Sequence, residues 1–249
     1  MKKVIMNDLA ACSKANNVRI LLAVESGSRA WGLESEDSDY DVRFVYVRPK
    51  EDYLRLEDVH EVIDWRMDDE LEVVGWDLSK YLRLLRKSNP STLEWLGFPV
   101  YVEDESFGKV RELAKECVSP TALAYHYLGM AKGDGRKRLR HETVSAKDCL
   151  VVARGILSCV WAIKFRTTPP ADFMELCERL TLPETRKMLS ELVEAKKSDR
   201  DATVALSDAF LGWSDFYLEH LGDAIAKIGP SKAVEWSKVD EVFVSMLSE

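Results

Sequence analysis

The chain has 249 residues and a formal charge of -8 at pH 7, because 43 acidic side chains outnumber 35 basic ones. With 46% hydrophobic residues, 12 glycines and 8 prolines, the composition excludes a disordered or collagen-like chain and indicates a globular protein of one or two domains. The acidic excess disfavours a general nucleic-acid coat protein, whose affinity comes from a broad basic surface, so a polyanionic ligand must meet a local site.

Residues 1–118 are predicted to form a domain in which short strands alternate with helices. The apolar run RILLAV predicts a strand at residues 19–24, and the alternating run DVRFVYV predicts another at 41–47. Two further strands, at 61–66 and 71–76, flank an acidic turn. Helices are predicted at 7–17, at 79–87 with Ser79 as the N-cap, and at 90–96.

Residues 119–249 are predicted to form a second, helical domain. Helical periodicity dominates after Pro120, and prolines punctuate it. The predicted helices are 121–131, 145–166, 170–180, 183–197, 202–228 and 231–247. The fold class that we expect is therefore α+β, with a helical bundle after a mixed domain.

The segment ESGSRAWGLESEDSDYDVR, from Glu25 to Arg43, carries the most informative pattern. Gly27 and Ser28 follow the first strand, where glycine permits a tight turn whose amides, with the serine hydroxyl, can face phosphate oxygens. Asp39 and Asp41 are two apart where the second strand opens, so their carboxylates share a face and repel unless hard cations lie between them. This pattern predicts a site for Mg²⁺ or Mn²⁺.

A third carboxylate from a neighbouring strand would complete a site for two ions. We expect Asp77 to supply it, because Asp77 ends the strand LEVVGWD and would reach the start of the Asp39–Asp41 strand if the two strands ran antiparallel. Glu72 and Asp64 are weaker candidates. The alternative for Asp77 is to cap the helix that follows it.

Together, Gly-Ser, Asp-x-Asp at this interval and a later strand acid resemble the nucleotidyltransferase signature of the DNA polymerase beta superfamily. The stretches ESGSRAWGLESEDSDYDVRFVYV and GWDLSKYLRLLRKSNPSTLEWLGFPVYVED resemble more specifically its bacterial and phage RNA-repair-pathway branch. The resemblance covers most of residues 20–104 and continues more faintly over 146–170. It implies a mixed-sheet palm that carries three acids, followed by a helical domain that closes over the nucleotide.

The resemblance also implies roles for single residues. It puts the triphosphate of an NTP on Gly27 and Ser28, two divalent ions on Asp39 and Asp41, and the ion beside the acceptor hydroxyl on Asp77. Two such ions about 3.5–4 Å apart would activate the attacking hydroxyl and offset charge on the α-phosphate and the leaving pyrophosphate. The implied activity is transfer of a nucleoside monophosphate to an acceptor hydroxyl, with RNA repair or RNA end modification as its context.

Three cations are candidates for binding the triphosphate. Arg29 either pairs with a nearby glutamate, Glu25 or Glu34, or reaches a phosphate. Lys147 and Arg154 are seven apart and share a face of one predicted helix. The resemblance implies that cations of the helical domain reach the triphosphate, and the alternative for these two is a pair lying beside the core.

The sequence leaves the acceptor open. The basic run from Lys132 to Arg140 is either a solvated loop or a contact for RNA or triphosphate. The same acids would serve transfer to a small molecule or a protein hydroxyl, since the acceptor is chosen elsewhere. A noncatalytic nucleotide-binding or toxin–antitoxin module is a further alternative, which three mutually repelling acids disfavour. No pattern indicates the preferred base or the oligomeric state.

The cysteines and the apolar segments indicate the compartment. Five cysteines without a C-x-x-C spacing suggest neither a disulfide framework nor a zinc knuckle. The first residues lack the apolar core of a signal peptide. The longest apolar run, residues 150–165, is interrupted by two cations and falls short of the about 20 residues that span a bilayer. We expect a cytoplasmic protein without a membrane span, in which this run is a buried helix.

Overall fold

The computed structural model describes residues 1–133, 139, 143–231 and 233–247. The chain divides into two compact units. Unit 1 comprises Met1–Ala30, Asp39–Cys117 and Ala233–Glu249, and unit 2 comprises Trp31–Ser38 and Val118–Lys232. The chain therefore enters unit 2 between the Gly-Ser pair and Asp39. The predicted domain boundary at residue 118 groups the segments 31–38 and 233–249 differently, and it stays a prediction.

Unit 1 is built on a mixed sheet of five strands, four of which the sequence predicts. Its strands are β1 (Arg19–Ser26), β2 (Tyr40–Val47), β3 (Val62–Met67), β4 (Leu71–Asp77) and β5 (Val100–Glu103). Their order across the sheet is β3-β4-β2-β1-β5. β2 and β4 are parallel, and the other neighbouring pairs are antiparallel. The short, half-exposed edge strand β5 escaped prediction because it has little alternation to detect.

Helices flank this sheet. They are α1 (Lys2–Asn16), α2 (Gly27–Ala30), α3 (Leu78–Arg86), α4 (Pro90–Glu94), α5 (Gly108–Cys117) and a C-terminal helix at Trp236–Leu247. Short 3₁₀ segments occur at Lys50–Leu54, Trp95–Gly97 and Glu105–Phe107. The α1 side chains Ile5 and Leu9 pack with Val42 and Phe44 of β2 in the core. Gly75 of β4 is required by this packing, because a Cβ there would lie 2.2 Å from the Phe44 ring.

Unit 2 is predominantly helical, which confirms the predicted C-terminal bundle. Its helices are α6 (Pro120–Gly133), α7 (Ala146–Phe165), α8 (Phe173–Leu180), α9 (Pro183–Ser198) and α10 (Asp208–Ala226). Most of α7 is buried, as expected for residues 150–165. The predicted helix at 202–228 is wrong at its start, where β7 (Thr203–Ala205) pairs antiparallel with β6 (Thr143–Ser145) and Ser207 caps α10.

None of the helices in the described parts of the chain combines the length and apolarity needed to cross a bilayer. The five cysteines are free and buried. Burial raises the pKa of the Cys159 and Cys177 thiols to about 12, so both stay protonated at neutral pH and pack as apolar groups.

Candidate active site

The turn after β1 lies directly against the carboxylate of Asp41. Ser26 at the end of β1 pairs with Asp41 at the start of β2. Gly27 has a positive φ of 62°, and a Cβ on it would lie 1.9 Å from Asp41 Oδ2. Glycine is therefore required twice, for the left-handed backbone and for the space that the carboxylate occupies. Ser28 follows in the short helix α2 and is half-buried.

Arg29 fixes the return of the chain into β2. Its Nε donates a hydrogen bond of 3.1 Å to the backbone oxygen of Asp39, and its guanidinium lies 3.8 Å from the centre of the Tyr40 ring. Burial raises the pKa of Glu25, and the positive charge of Arg29 opposes this increase. The contact with the Asp39 backbone is one that the sequence did not suggest, and a phosphate contact of Arg29 stays a prediction.

Glu25 is a buried acid behind the site that sequence reasoning did not identify as a site residue. The side chain is 4% exposed, Oε1 accepts a hydrogen bond of 3.0 Å from the Asp41 amide, and Oε2 accepts one from the Tyr101 hydroxyl. Burial raises the pKa of Glu25, while these two hydrogen bonds and the charge of Arg29 oppose the increase. The sequence signal that could have identified Glu25 is a charged residue near the end of a largely apolar strand.

The pairing of β2 with β4 corrects the predicted position of Asp77. The two strands are parallel, not antiparallel, so Asp41 faces Glu72 and Tyr46 faces Asp77. Asp77 is thus five residues along the sheet from Asp41, or about 16 Å at the usual rise of a strand. The expectation that Asp77 lies beside Asp39 and Asp41 is wrong, because it rested on the opposite strand direction.

Protein groups surround the carboxylate of Asp77. The side chain is fully buried, and Oδ1 accepts a hydrogen bond of 2.8 Å from the Ser79 amide, which makes Asp77 rather than Ser79 the N-cap of α3. Oδ2 accepts a hydrogen bond of 2.8 Å from the Tyr53 hydroxyl and lies 3.9 Å from Arg48 Nε. Both oxygens are therefore occupied by protein donors.

Glu72 takes the place beside Asp41 that was expected of Asp77. Arg43 lies between the two acids, with Nη2 2.8 Å from Glu72 Oε1 and 3.5 Å from Asp41 Oδ1. The three side chains are between 20% and 31% exposed, so solvent reaches them. Arg43 and Asp41 share a face because they are two apart on β2. Asp39, also two from Asp41, is half-buried just before the strand.

The described carboxylates do not form a preassembled metal site. Within residues 1–133, 139, 143–231 and 233–247, no three His, Cys, Asp or Glu side chains are arranged to hold a metal ion. Asp41 and Glu72 instead share the guanidinium of Arg43. Two acids held together by one cation form a site at which a positive charge is stabilised.

The cations predicted on α7 differ in their surroundings. Lys147 is exposed, whereas Arg154 is 3% exposed and its guanidinium lies 4.2 Å from the centre of the Trp31 ring. Phe173 also donates a hydrogen bond of 3.0 Å to the Trp31 backbone oxygen, so these contacts hold the segment Trp31–Ser38 within unit 2. A triphosphate contact for Lys147 and Arg154 stays a prediction.

The basic run is only partly described. Lys132 is exposed near the end of α6, whereas Arg136, Lys137, Arg138 and Arg140 lie outside the described residues. A contact of this run with RNA or triphosphate stays a prediction.

Comparisons with known proteins place the chain in a family. The model of the RNA repair pathway DNA polymerase beta family (RlaP) matches residues 1–245. The chain is 36% identical over 253 aligned residues to the uncharacterized protein YcgL of Bacillus subtilis (strain 168), covering 100% of this chain and 97% of YcgL. It is also 24% identical to the tRNA (34-2'-O)-methyltransferase regulator WDR6 of Drosophila melanogaster, over 51% of this chain and 12% of WDR6.

Among solved structures, a nucleotidyltransferase-like protein from Exiguobacterium sibiricum matches at 13% identity with a TM-score of 0.32, over 91% of this chain and 75% of that one. This likeness is too low to bear on the fold. The family match spans nearly the whole sequence, and the mixed sheet brings the Gly-Ser turn against an Asp-x-Asp strand. The chain therefore belongs to the RNA repair pathway DNA polymerase beta family, a group of nucleotidyltransferase-like transferases.

Proposed function

We propose that this protein transfers a nucleoside monophosphate from an NTP to a hydroxyl of RNA and releases pyrophosphate, with Asp39, Asp41 and Glu72 as ligands of divalent ions. One observation carries the proposal: the Asp41 carboxylate lies against Gly27 on one side and beside Glu72 on the other, with Arg43 between the acids. Glu72 replaces Asp77 as the third acid.

The residues present fit Mg²⁺ or Mn²⁺. Carboxylate oxygens are the ligands that these hard cations prefer, and the guanidinium of Arg43 already marks the position at which positive charge is stabilised. Because Asp41 and Glu72 are cross-strand neighbours, their side chains can converge on one ion once Arg43 turns away. Asp39 would complete the set from the loop before β2.

When bound, two divalent ions supply charge stabilisation at the α-phosphate and lower the pKa of the attacking hydroxyl. The protein's own residues position these groups. Gly27 leaves space for the Asp41 carboxylate and opens the turn at which Ser28 would meet the triphosphate. Glu25 fixes the Asp41 backbone through its amide, and Arg29 fixes that of Asp39 through its carbonyl. Both proposed ligands therefore keep their spacing while the side chain of Arg43 moves.

RNA is proposed as the acceptor because the family that matches the chain is described by an RNA repair pathway. The acids that activate a hydroxyl do not choose its source, so acceptor identity is a separate part of the proposal. A cytoplasmic location, where RNA and NTP are available, stays a prediction.

The test is a transfer assay with each α-labelled NTP, Mg²⁺ or Mn²⁺, and an RNA that ends in a 3′-hydroxyl. The variant Asp39→Asn/Asp41→Asn removes two proposed ligands. The matched control is Asp37→Asn, an exposed aspartate of the same loop that is not a proposed ligand. We expect labelled RNA and pyrophosphate from the wild type and the control, and neither from the double variant.

Equal pyrophosphate release by the wild type and the double variant would overturn the proposed transfer. A parallel panel of aminoglycosides and protein acceptors tests the choice of acceptor separately from the metal site. Transfer to one of these, but not to RNA, would retain the metal site and overturn the RNA acceptor.

A further inference from the structure

A basic cavity lies in unit 1, at the end of the sheet opposite the proposed transfer site. It has a volume of about 480 Å³ and is formed by the C-terminal end of α1, the start of β1, the end of β2 and the C-terminal helix. Four cations line it, namely Lys14, Arg19, Arg48 and Lys50, and none of the described carboxylates does. This concentration of positive charge is notable in a chain whose formal charge is -8.

We propose that this cavity is a second anion site, which binds clustered phosphate groups. The two arginines are held in place by protein contacts. Arg19 Nη1 lies 3.1 Å from Asp104 Oδ2, and its Nη2 donates a hydrogen bond of 3.0 Å to the Met246 backbone oxygen. Guanidinium groups fixed in this way present donors to a phosphate at a low cost in side-chain entropy.

Arg48 is fixed from the other side of the cavity. Its Nη2 donates a hydrogen bond of 3.2 Å to the His60 backbone oxygen, and its Nε lies 3.9 Å from Asp77 Oδ2. Asp77 and Asp104 therefore offset the charges of the two arginines. The net positive charge of the cavity comes from the two lysines.

The charges of Lys14 and Lys50 are not offset by an ion pair among the described residues. Both side chains are exposed, and neither ammonium forms a hydrogen bond or ion pair with any residue that the structure describes. The negative end of α1 is also satisfied, because the Asn17 and Val18 amides donate to the backbone oxygens of Lys14 and Ser13. Two exposed lysines beside two fixed arginines match the charge of a ligand with several phosphate oxygens.

The lining indicates which part of a ligand is recognised. Among the residues that the structure describes, no aromatic side chain lines the cavity, so these residues offer no platform on which a nucleobase could stack. The volume falls within the range of small-ligand sites, about 300–1,000 Å³. The chemistry that fits is therefore a compact group of phosphates, free as in pyrophosphate or tripolyphosphate, or attached as at the 5′-phosphate end of an RNA.

This site is distinct from the proposed transfer site. Val47, which lines the cavity, is six residues along β2 from Asp41, or about 20 Å. The two proposals can therefore fail independently, and the experiment keeps them apart. Binding is measured in EDTA on the background Asp41→Asn/Glu72→Gln, which removes divalent ions and the acids that would hold them.

The probes are tripolyphosphate and a short single-stranded RNA with either a 5′-phosphate or a 5′-hydroxyl, titrated by calorimetry. The test variant is Lys14→Gln/Lys50→Gln. The matched control, Lys3→Gln/Lys227→Gln, removes the same charge from exposed lysines that do not line the cavity. All four positions are exposed lysines, so we expect every variant to fold, and thermal unfolding checks this.

We expect the test variant to lose at least about tenfold in affinity for tripolyphosphate, and the control to change less than about twofold. The dependence of log affinity on log salt should become shallower by about one per lysine removed. Tighter binding of the 5′-phosphorylated RNA than of the 5′-hydroxyl RNA would identify an RNA end as the source of the phosphates. Tripolyphosphate binding without that difference would identify a free polyphosphate.

Absence of binding by tripolyphosphate and by both RNAs would overturn the second site. Equal affinities of the test variant and the control would overturn it as well.

Discussion

The two ends of the β2–β4 strand pair each hold carboxylates beside an arginine, yet their surroundings differ. At one end, Asp41 and Glu72 are partly exposed, and both contact the guanidinium of Arg43. At the other end, Asp77 is fully buried and accepts hydrogen bonds from the Ser79 amide and the Tyr53 hydroxyl. We infer that an acid whose oxygens accept hydrogen bonds from protein donors stabilises the fold. Partly exposed acids that share a cation are, by contrast, accessible to a ligand.

The largest expected effect is on catalysis, from Glu72→Gln. This change keeps the shape of the side chain and removes one charge from the proposed ligand set, so we expect the transfer rate to fall by about 10²-fold or more. The free energy of unfolding should change by less than about 1 kcal/mol, because Glu72 is partly exposed and its pairing with Arg43 is solvent-screened. Transfer assays measure the rate, and urea unfolding measures the free energy of unfolding. A wild-type transfer rate together with a loss of stability would show that Glu72 supports the fold and not the site.

The opposite pattern is expected for Asp77→Ala. This variant removes a helix cap and leaves the Tyr53 hydroxyl and Arg48 without their buried partner, which should cost about 2–3 kcal/mol of unfolding free energy. The transfer rate per folded molecule should stay within about threefold. Asp77→Asn, which retains a capping oxygen, should be less destabilised. Loss of transfer by folded Asp77→Asn would restore Asp77 as a metal ligand.

Gly27→Ala should affect both stability and the site. Its added Cβ would meet Asp41 Oδ2 at 1.9 Å, and the φ of 62° disfavours alanine by about 1–2 kcal/mol. We expect that loss of stability together with a Mn²⁺ affinity weakened about tenfold, since Asp41 must move. Gly97→Ala is the matched control, because a Cβ there meets no atom within 4 Å. Equal Mn²⁺ affinities of the two alanine variants would exclude Gly27 from the site.

The smallest effect is expected from Arg43→Met. The substitution removes a cation that contacts both Asp41 and Glu72, so the divalent ion no longer competes with the guanidinium of Arg43. We expect Mn²⁺ affinity to rise about three- to tenfold and the metal-free protein to lose about 1 kcal/mol of stability. Calorimetric titration and unfolding in EDTA measure these changes. Weaker Mn²⁺ binding by this variant would show that Arg43 supports the metal site.

Much of the fold followed from local pattern, and the errors came from pairing between distant segments. Strands β1 to β4 were predicted within a few residues, because their apolar or alternating character is written in their own sequence. The direction of β4 relative to β2 is decided by the connection through β3, which no short pattern records. That direction places Glu72, not Asp77, beside Asp41, and it is the reason that Glu72 is the proposed third acid.

In the candidate site, too, local features were predictable from the sequence and cross-strand contacts were not. The juxtaposition of Gly27 with Asp41 was foreseeable, since a turn and the next antiparallel strand meet at one edge. The parts played by Glu25 and Arg43 were not, because each depends on a cross-strand partner: Asp41 and Tyr101 for Glu25, and Glu72 for Arg43.

The most direct test of the difference between the two ends is Mn²⁺ binding, measured by calorimetry or electron paramagnetic resonance. The proteins compared are the wild type, Asp41→Asn/Glu72→Gln and Asp77→Asn, each shown to be folded. We expect Asp77→Asn to bind Mn²⁺ within about twofold of the wild type, and the double variant to bind at least about tenfold more weakly. Wild-type affinity in the double variant, with binding lost in Asp77→Asn, would contradict the assignment of the site to Asp41 and Glu72.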